Sequence, residues 1–128
     1  MDNLYKGNVM KLEDFHHVQI PKVVFYDNTL SSEARMLYGV IFDTFKMSLK
    51  KGWYDDNFNV YCYCTLERAM RILRVSEKKV TRLKKELRDK GLIVEVRQGL
   101  NKPNKIYVTK FENVYTKEDI LKALEDEE

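Results

Sequence analysis

The sequence has few of the features that mark exported or membrane-bound proteins. Its 128 residues include only two prolines and two cysteines, and no apolar run reaches the roughly 20 residues of a membrane-spanning helix. Residues 1–10 contain one lysine and no apolar stretch of signal-peptide length. We therefore expect a cytoplasmic protein with no membrane partner.

The residue groupings typical of enzymes are also missing. The sequence has no glycine-rich phosphate-binding loop. Its two histidines, His16 and His17, are adjacent and have no Ser, Cys or Asp at a spacing that activates a nucleophile. We therefore expect a protein that is not an enzyme.

Cys62 and Cys64 lie two residues apart in a segment that alternates like a β-strand, so both thiols should point to the same face. A metal would need two further ligands nearby, and the adjacent histidines do not have the spacing of a zinc site. Two core or half-buried thiols are the favoured interpretation, with metal or redox chemistry as the alternative. We expect no cofactor and no metal.

What is present describes one globular domain with an uneven charge. The apolar fraction is 44% and the aromatic fraction 12%, and the length suits a single domain. The segment from Arg68 to Lys105 contains thirteen basic and four acidic residues, which gives it a net charge of +9. From Phe111 to Glu128 two basic residues face seven acidic ones, a net charge of −5. A basic block inside a folded domain indicates a polyanionic partner.

The first half of the chain predicts an arm, a helix and a short strand. Residues 1–30 are irregular, and Pro21 is expected to block a helix there. Ser31 or Ser32 caps a helix that Gly52 closes, and Val60–Cys64 has the composition of a strand. The expected apolar anchors of the arm are Phe15, Val18, Ile20, Val23, Val24 and Phe25, and those of the helix are Ala34, Leu37, Tyr38, Ile41, Phe42 and Phe45.

The second half predicts two short helices followed by a hairpin. Thr65 caps a helix that ends near Arg74, and Ser76 caps a second one that runs to Lys90, with Gly91 just past its end. Two helices joined by such a tight turn are a candidate helix-turn-helix. The buried stripe of the second helix is expected to be Val80, Leu83 and Leu87.

Beyond Gly91 the sequence predicts a β-hairpin, with strands at Leu92–Arg97 and Lys105–Thr109 around a loop rich in turn formers. Thr116 and Asp119 match a capping box that opens an acidic C-terminal helix. The element order is that of an α+β winged helix-turn-helix. We expect an arm at 1–30, the winged-helix domain at 31–110 and an acidic helix or linker at 111–128.

The second helix of the candidate motif carries a polar face opposite its apolar stripe. The N-terminal residues of such a helix lie nearest the base edges of the major groove, so Lys78, Thr81 and Arg82 are predicted to read bases. The predicted phosphate contacts are Lys79, Lys85 and Arg88, and Ser76 at the start of the helix completes the DNA-binding set. The alternative is a solvated basic surface with no partner.

The predicted hairpin is the wing of the fold. Its tip offers cations and amides suited to the minor groove. Its candidate DNA contacts are Arg97, Gln98, Asn101, Lys102, Asn104 and Lys105. Asn101 and Asn104 have the alternative role of shaping the turn.

Three tyrosines, Tyr61, Tyr63 and Tyr107, fall on predicted strands. Such rings form either a stacking surface for single-stranded bases or ordinary strand packing. Packing is the favoured interpretation, because tyrosines that alternate on strands usually pack.

Several short motifs, in order between about residues 15 and 110, resemble the N-terminal domain of RepA_N replication initiators, found on plasmids of Gram-positive bacteria. They are Ile20–Lys22, Ser32–Tyr38, Gly52–Asp55, Asn59–Tyr61, Gly91–Ile93, Arg97–Leu100 and Lys102–Val108. Lys51 and Phe58 depart from the family pattern, where an asparagine and a turn glycine are expected.

The resemblance implies a winged-helix domain that dimerises and binds repeated double-stranded sites, or iterons, at a plasmid origin to initiate replication. It also implies a longer initiator, whose further domain engages host replication proteins. A transcriptional repressor with the same fold is the alternative, because a winged helix alone does not reveal whether binding opens an origin or blocks a promoter.

Overall fold

The computed structural model describes residues 3–4, 6–7 and 16–125. Phe15, a predicted anchor of the arm, and the last three residues of the predicted acidic helix lie outside these ranges. The described helices are α1 (Lys22–Phe25), α2 (Ser32–Lys51), α3 (Leu66–Leu73), α4 (Glu77–Lys90) and α5 (Lys117–Glu125), with strands β1 (Ile93–Val96) and β2 (Lys105–Val108) and a 3-10 helix at Phe111–Asn113. No helix within the described residues is long and apolar enough to cross a bilayer.

The long helix α2 begins and ends where its local signals predict. The Ser31 hydroxyl accepts a hydrogen bond from the backbone N–H of Ala34 at 3.1 Å, which satisfies one of the free donors of the first turn. Gly52 adopts a left-handed φ of 73° just past the last turn, a conformation that costs glycine little. Of the predicted stripe, Ala34, Leu37, Tyr38 and Ile41 are buried, and Phe42 and Phe45 pack against the core from its margin.

The two strands form one antiparallel hairpin, the wing, in which Ile93 pairs with Val108 and Val96 pairs with Lys105. Ile93 and Ile106 are buried, whereas Val94 and Val96 are exposed, so the hairpin packs on the core through one face. Helices α3 and α4 followed by this hairpin give the winged helix-turn-helix order that the sequence predicts.

The predicted strand Val60–Cys64 is reduced to single bridges. Val60 pairs with Tyr54, and Cys62 exchanges two backbone hydrogen bonds with Ile106, of 2.9 and 2.8 Å. Beyond this bridge, the carbonyl of Cys64 accepts a hydrogen bond from the Lys84 ammonium of α4 at 2.8 Å. The segment therefore lies beside β2 without forming a third strand.

The prediction that residues 1–30 are irregular is wrong at α1, although no helix runs through Pro21. Helix α1 starts directly after Pro21, whose carbonyl accepts hydrogen bonds from Val24 and Phe25. Proline is tolerated here because the first residues of a helix do not use their N–H groups within the helix. Val24 is fully buried and Ile20 and Val23 pack on the core, but Val18 and Phe25 are about half exposed and do not act as anchors.

Residues before α1 approach α2 closely at Gly39. A Cβ atom placed on Gly39 would lie 2.7 Å from Cγ1 of Ile20, which is closer than packed atoms allow. The absence of a side chain at this position therefore lets Ile20 lie directly on the α2 backbone.

The buried carboxylate of Asp27 connects the segment after α1 to Tyr115, near the start of α5, and to Lys90 at the end of α4. The Asp27 side chain accepts hydrogen bonds from the Thr29 backbone and hydroxyl and from the Tyr115 hydroxyl, the last at 2.8 Å. The Lys90 ammonium lies 3.2 Å from the same carboxylate, of which 4% is exposed. Burial alone would raise the pKa of Asp27, but these hydrogen bonds together hold the pKa below its usual value.

Helix α5 follows this junction and begins with a reciprocal pair of hydrogen bonds. The Asp119 backbone N–H donates to the Thr116 hydroxyl, and the Thr116 backbone N–H donates to the Asp119 carboxylate. Ala123 is buried, whereas Leu121 and Leu124 are exposed.

We predict that Asp27→Asn lowers the free energy of unfolding by about 2 kcal/mol, because it removes hydrogen bonds to a buried charge. The lowered pKa means that the ionised carboxylate stabilises the folded state above its usual pKa of 3.8. Urea denaturation at several pH values should show a constant difference from the wild type above about pH 4 and a shrinking one as pH falls through the lowered pKa. A difference that grows on acidification would contradict this account.

Candidate nucleic-acid interface

Helices α3 and α4 form the helix-turn-helix, and each starts with a side-chain cap. The Thr65 hydroxyl accepts from the Arg68 N–H and the Ser76 hydroxyl accepts from the Lys79 N–H, both at 3.2 Å. Between the helices Arg74 adopts a left-handed φ of 57°, which turns the chain from α3 into α4. Ser76 is exposed, and its cap role leaves the hydroxyl proton available to an acceptor in solvent.

The exposed face of α4 is the one that the helical periodicity predicts. Val80, Leu83 and Leu87 are fully buried against α2, α3 and the hairpin. The predicted contacts Lys78, Thr81, Arg82, Lys85 and Arg88 are all exposed on the other side. The Thr81 hydroxyl donates to the Glu77 carbonyl at 3.1 Å, so its polar atom is engaged within the helix.

The predicted phosphate contacts on α4 are engaged in ion pairs inside the molecule. Lys79 lies 2.8 Å from Glu33 of α2, Lys85 lies 2.7 Å from Asp89, and Arg88 lies 2.7 Å from Glu95 of β1. The Lys85 pair is about two-thirds exposed on both sides, and exposed pairs of this kind contribute little to stability. Among these three, Lys85 is therefore the one that can most easily exchange its partner.

The predicted wing contacts fall into two groups. Arg97, Asn101 and Lys102 are exposed at the tip, where Asn101 has a left-handed φ of 62°, as its turn-shaping alternative requires. Gln98 donates to the Pro103 carbonyl at 2.8 Å, and Asn104 donates to Glu95 at 3.4 Å, so both side chains brace the hairpin. Lys105 Nζ lies 4.4 Å from the centre of the Tyr61 ring.

Two charged residues that the sequence did not single out join helix α4 to the wing. Glu95 points inward from β1, with 8% of its side chain exposed, and lies close to Arg88, Asn104 and Lys84. Lys84 is itself buried, with its ammonium 3.7 Å from Glu95 and 2.8 Å from the Cys64 carbonyl. The burial of Lys84 could have been predicted from its spacing, because Lys84 follows Val80 by four residues and therefore borders the apolar stripe.

Cys62 and Cys64 are buried free thiols, in agreement with the favoured interpretation. Burial raises the pKa of Cys62 to about 12 and raises that of Cys64 as well. The thiolate, which is the form that binds metals and attacks substrates, is therefore disfavoured at both positions. Within the described ranges no group of three or more His, Cys, Asp or Glu side chains is placed to hold a metal ion.

The three tyrosines of the predicted strands lie together with Trp53. Tyr61 is in ring contact with Tyr63 and Tyr107, at centroid distances of 5.7 and 6.4 Å, and Trp53 contacts both Tyr61 and Tyr63. All three tyrosines are half-buried, as packing predicts, but the cluster lies at the surface beside the wing.

Residues 16–122 match the family model of the replication initiator protein A (RepA) N-terminus, RepA_N. Over 76 residues the chain is 41% identical to a curated Lactobacillus helveticus protein described as "41 kDa protein", a match that covers 59% of this chain and 22% of that protein. The chain therefore spans about a fifth of the length of this relative.

Solved structures similar to this chain include one described as "N-Terminal domain of DNA binding protein", with 33% identity and a TM-score of 0.71 over 98% of this chain and 95% of that one. Another, described as "Structure of Rep-DNA complex", has 32% identity and a TM-score of 0.70 over 92% and 94%. A third, described as "Structure of MDR initiator", has 30% identity and a TM-score of 0.69 over 93% and 98%.

We predict that Glu95→Gln lowers the free energy of unfolding by about 2 kcal/mol, because it removes the charge that compensates buried Lys84 and holds Arg88. Asp89→Asn is the matched control, since it breaks only the exposed pair with Lys85 and should cost less than about 0.5 kcal/mol. Urea denaturation of the two variants measures both values. Equal effects of the two substitutions would show that Glu95 is no more important than a surface acid.

Proposed function

We propose that this chain, which belongs to the RepA_N family of replication initiator proteins, binds repeated sites in double-stranded DNA at a plasmid origin and so initiates replication. The neighbours described as a Rep–DNA complex and as an initiator support this function. It acts in the cytoplasm as a binding protein and not as an enzyme. Host replication proteins are engaged by parts of a longer initiator that lie beyond the family's N-terminal domain.

The observation that carries the proposal is the exposed face at the start of α4. Lys78, Thr81 and Arg82 share this face, and within the described residues neither Lys78 nor Arg82 forms an ion pair. Their donors are therefore available to guanine O6 and N7 in the major groove. Because the Thr81 hydroxyl is bonded to its own helix, its methyl group is the part that meets a thymine methyl.

The wing adds a second contact next to the first. Arg97 and Lys102 are exposed at its tip and suit the minor groove, whose negative potential attracts such cations. Glu95 bonds both Arg88 of α4 and Asn104 of the wing, so it fixes the distance between the two contacts.

We predict that Arg82→Ala costs about 1 to 3 kcal/mol of affinity for a duplex selected from a randomised pool and little for its scrambled version. Lys102→Ala is the comparison, and it should weaken binding to both duplexes alike. For the wild type, log affinity should fall by several units per decade of salt, with a slope of about −0.9 for each phosphate contacted.

Fluorescence anisotropy at two or more salt concentrations gives these values, and circular dichroism checks that both variants stay folded. Equal losses on the two duplexes for Arg82→Ala would make Arg82 a phosphate contact. A salt slope near −1 for the wild type would argue against the duplex-binding proposal as a whole.

We also propose that the chain acts as a homodimer on repeated sites. The support is the family and the exposed apolar side chains of α1 and α2, where Phe25, Met36 and Met47 are about half exposed and Met36 and Met47 share one face of α2. Sedimentation velocity with a two-site duplex in excess over the protein should show complexes of two chains, since independent monomers would then mostly bind one to each duplex. Strictly monomeric binding to a single unrepeated site would contradict this prediction.

A further inference from the structure

An aromatic cluster next to the wing is not used by the duplex-binding surface. We call it the aromatic platform, and it consists of Trp53, Tyr61, Tyr63 and Tyr107. Trp53 and Tyr61 are stacked with an interplanar angle of 29°, and their centroids lie 6.3 Å apart. Tyr63 meets both of these rings edge-on, at 6.1 and 5.7 Å.

Two rings of the platform carry a lysine ammonium over one face. Trp53 is 43% exposed, and Lys51 Nζ lies over its ring at 5.6 Å. Lys105 Nζ lies over the Tyr61 ring at 4.4 Å. A ligand that stacks on either of these two faces must displace the lysine side chain, which is flexible and stays close enough to meet an anionic group of the ligand.

The platform is held in shape by polar contacts around its edge. The Tyr107 hydroxyl donates to Asp55 at 3.0 Å, and Asp55 also accepts from the backbone N–H groups of Asn57 and Asn59. The Tyr61 N–H donates to the Trp53 carbonyl at 3.2 Å. The rings are therefore positioned before any ligand arrives, which lowers the entropic cost of binding.

Flat ring faces flanked by lysines fit a ligand that has flat groups on an anionic backbone. Unpaired nucleobases stack on aromatic side chains regardless of sequence, and nearby cations attract the phosphates. An apolar protein surface would use the rings but would bury the ammonium groups over Trp53 and Tyr61 without an anionic partner. The charge of the site thus favours a nucleic acid over an apolar partner.

We propose that the aromatic platform binds unpaired bases of single-stranded DNA. This inference goes beyond the duplex-binding function and does not depend on it, because none of the four rings is a predicted duplex contact. Two predicted wing contacts border the platform: Lys105 lies over the Tyr61 ring, and the Gln98 amide lies 3.4 Å from the Tyr63 hydroxyl. A protein with both sites can hold duplex repeats on α4 and an opened strand beside the wing.

The chain offers a direct probe, because Trp53 is its one tryptophan. Titrating the wild-type protein with oligodeoxythymidylate of about 12 nucleotides, which forms no duplex and matches the size of a typical single-strand site, should quench Trp53 emission saturably. The affinity should fall with salt by about 0.7 log units per decade for each phosphate contacted.

Variants are compared by the anisotropy of the same oligonucleotide carrying fluorescein. Trp53→Ala should weaken binding about tenfold, the effect expected for loss of one stacking ring, and Trp53→Phe should restore most of the affinity. Phe58→Gly is the matched control. Phe58 is an 80% exposed ring in the same loop that contacts Tyr54, and glycine suits its left-handed φ of 64°, so this variant should fold well and bind normally.

Three outcomes would overturn the proposal. The first is no binding of the oligonucleotide at low salt, and the second is an equal loss for Trp53→Ala and Phe58→Gly. The third is a shift of Trp53 emission with protein concentration in the absence of DNA, which would assign the platform to contact with a second copy of the chain. Parallel duplex titrations separate this test from the proposed function, since Arg82→Ala should impair duplex binding and leave oligothymidylate binding unchanged.

Discussion

The carboxylate of Glu95 lies between helix α4 and the wing, and the packing of the wing on α4 depends on it. A carboxylate with 8% of its surface exposed is stable only when cations and hydrogen-bond donors surround it, and here they come from α4 and from the wing loop. Separating the hairpin from α4 would remove the ion-pair partners of Glu95 and Lys84 at the same time. The same buried lysine also donates to the carbonyl of Cys64, so it links α4 both to β1 and to the segment that lies beside β2.

The features that the sequence predicted well are those whose bonding is complete within a few residues. Ser31, Thr65 and Ser76 each cap the helix that follows by accepting a hydrogen bond from three residues ahead. Gly91 ends α4 in a left-handed conformation. The exposed face of α4 could be placed for the same reason, because once a helix is established its periodicity fixes which side chains share a face.

The features that the sequence did not predict depend on contacts between distant residues. Helix α1 is one turn long and forms where Val24 can be buried, which Pro21 alone could not indicate. Lys79 pairs with Glu33, 46 positions earlier, and Lys90 pairs with Asp27, so the net charge of a segment does not reveal which cations remain unpaired. The aromatic platform likewise requires rings from residues 53 to 107 to meet, and no local pattern specifies that meeting.

Ion pairing changes what the basic face of the domain can do without removing its charge. Lys85 is paired with an exposed aspartate and can exchange that partner for a phosphate at little cost. Arg88 cannot leave Glu95 so easily, but only one of its five donors is engaged there, and its side chain is 40% exposed. A guanidinium held in place by a buried carboxylate keeps its remaining N–H groups pointing in a fixed direction, and less side-chain entropy is lost when it meets a phosphate. The acids among the basic residues therefore do more than reduce the net charge, because they hold selected cations of α4 in defined positions on the exposed face of the helix.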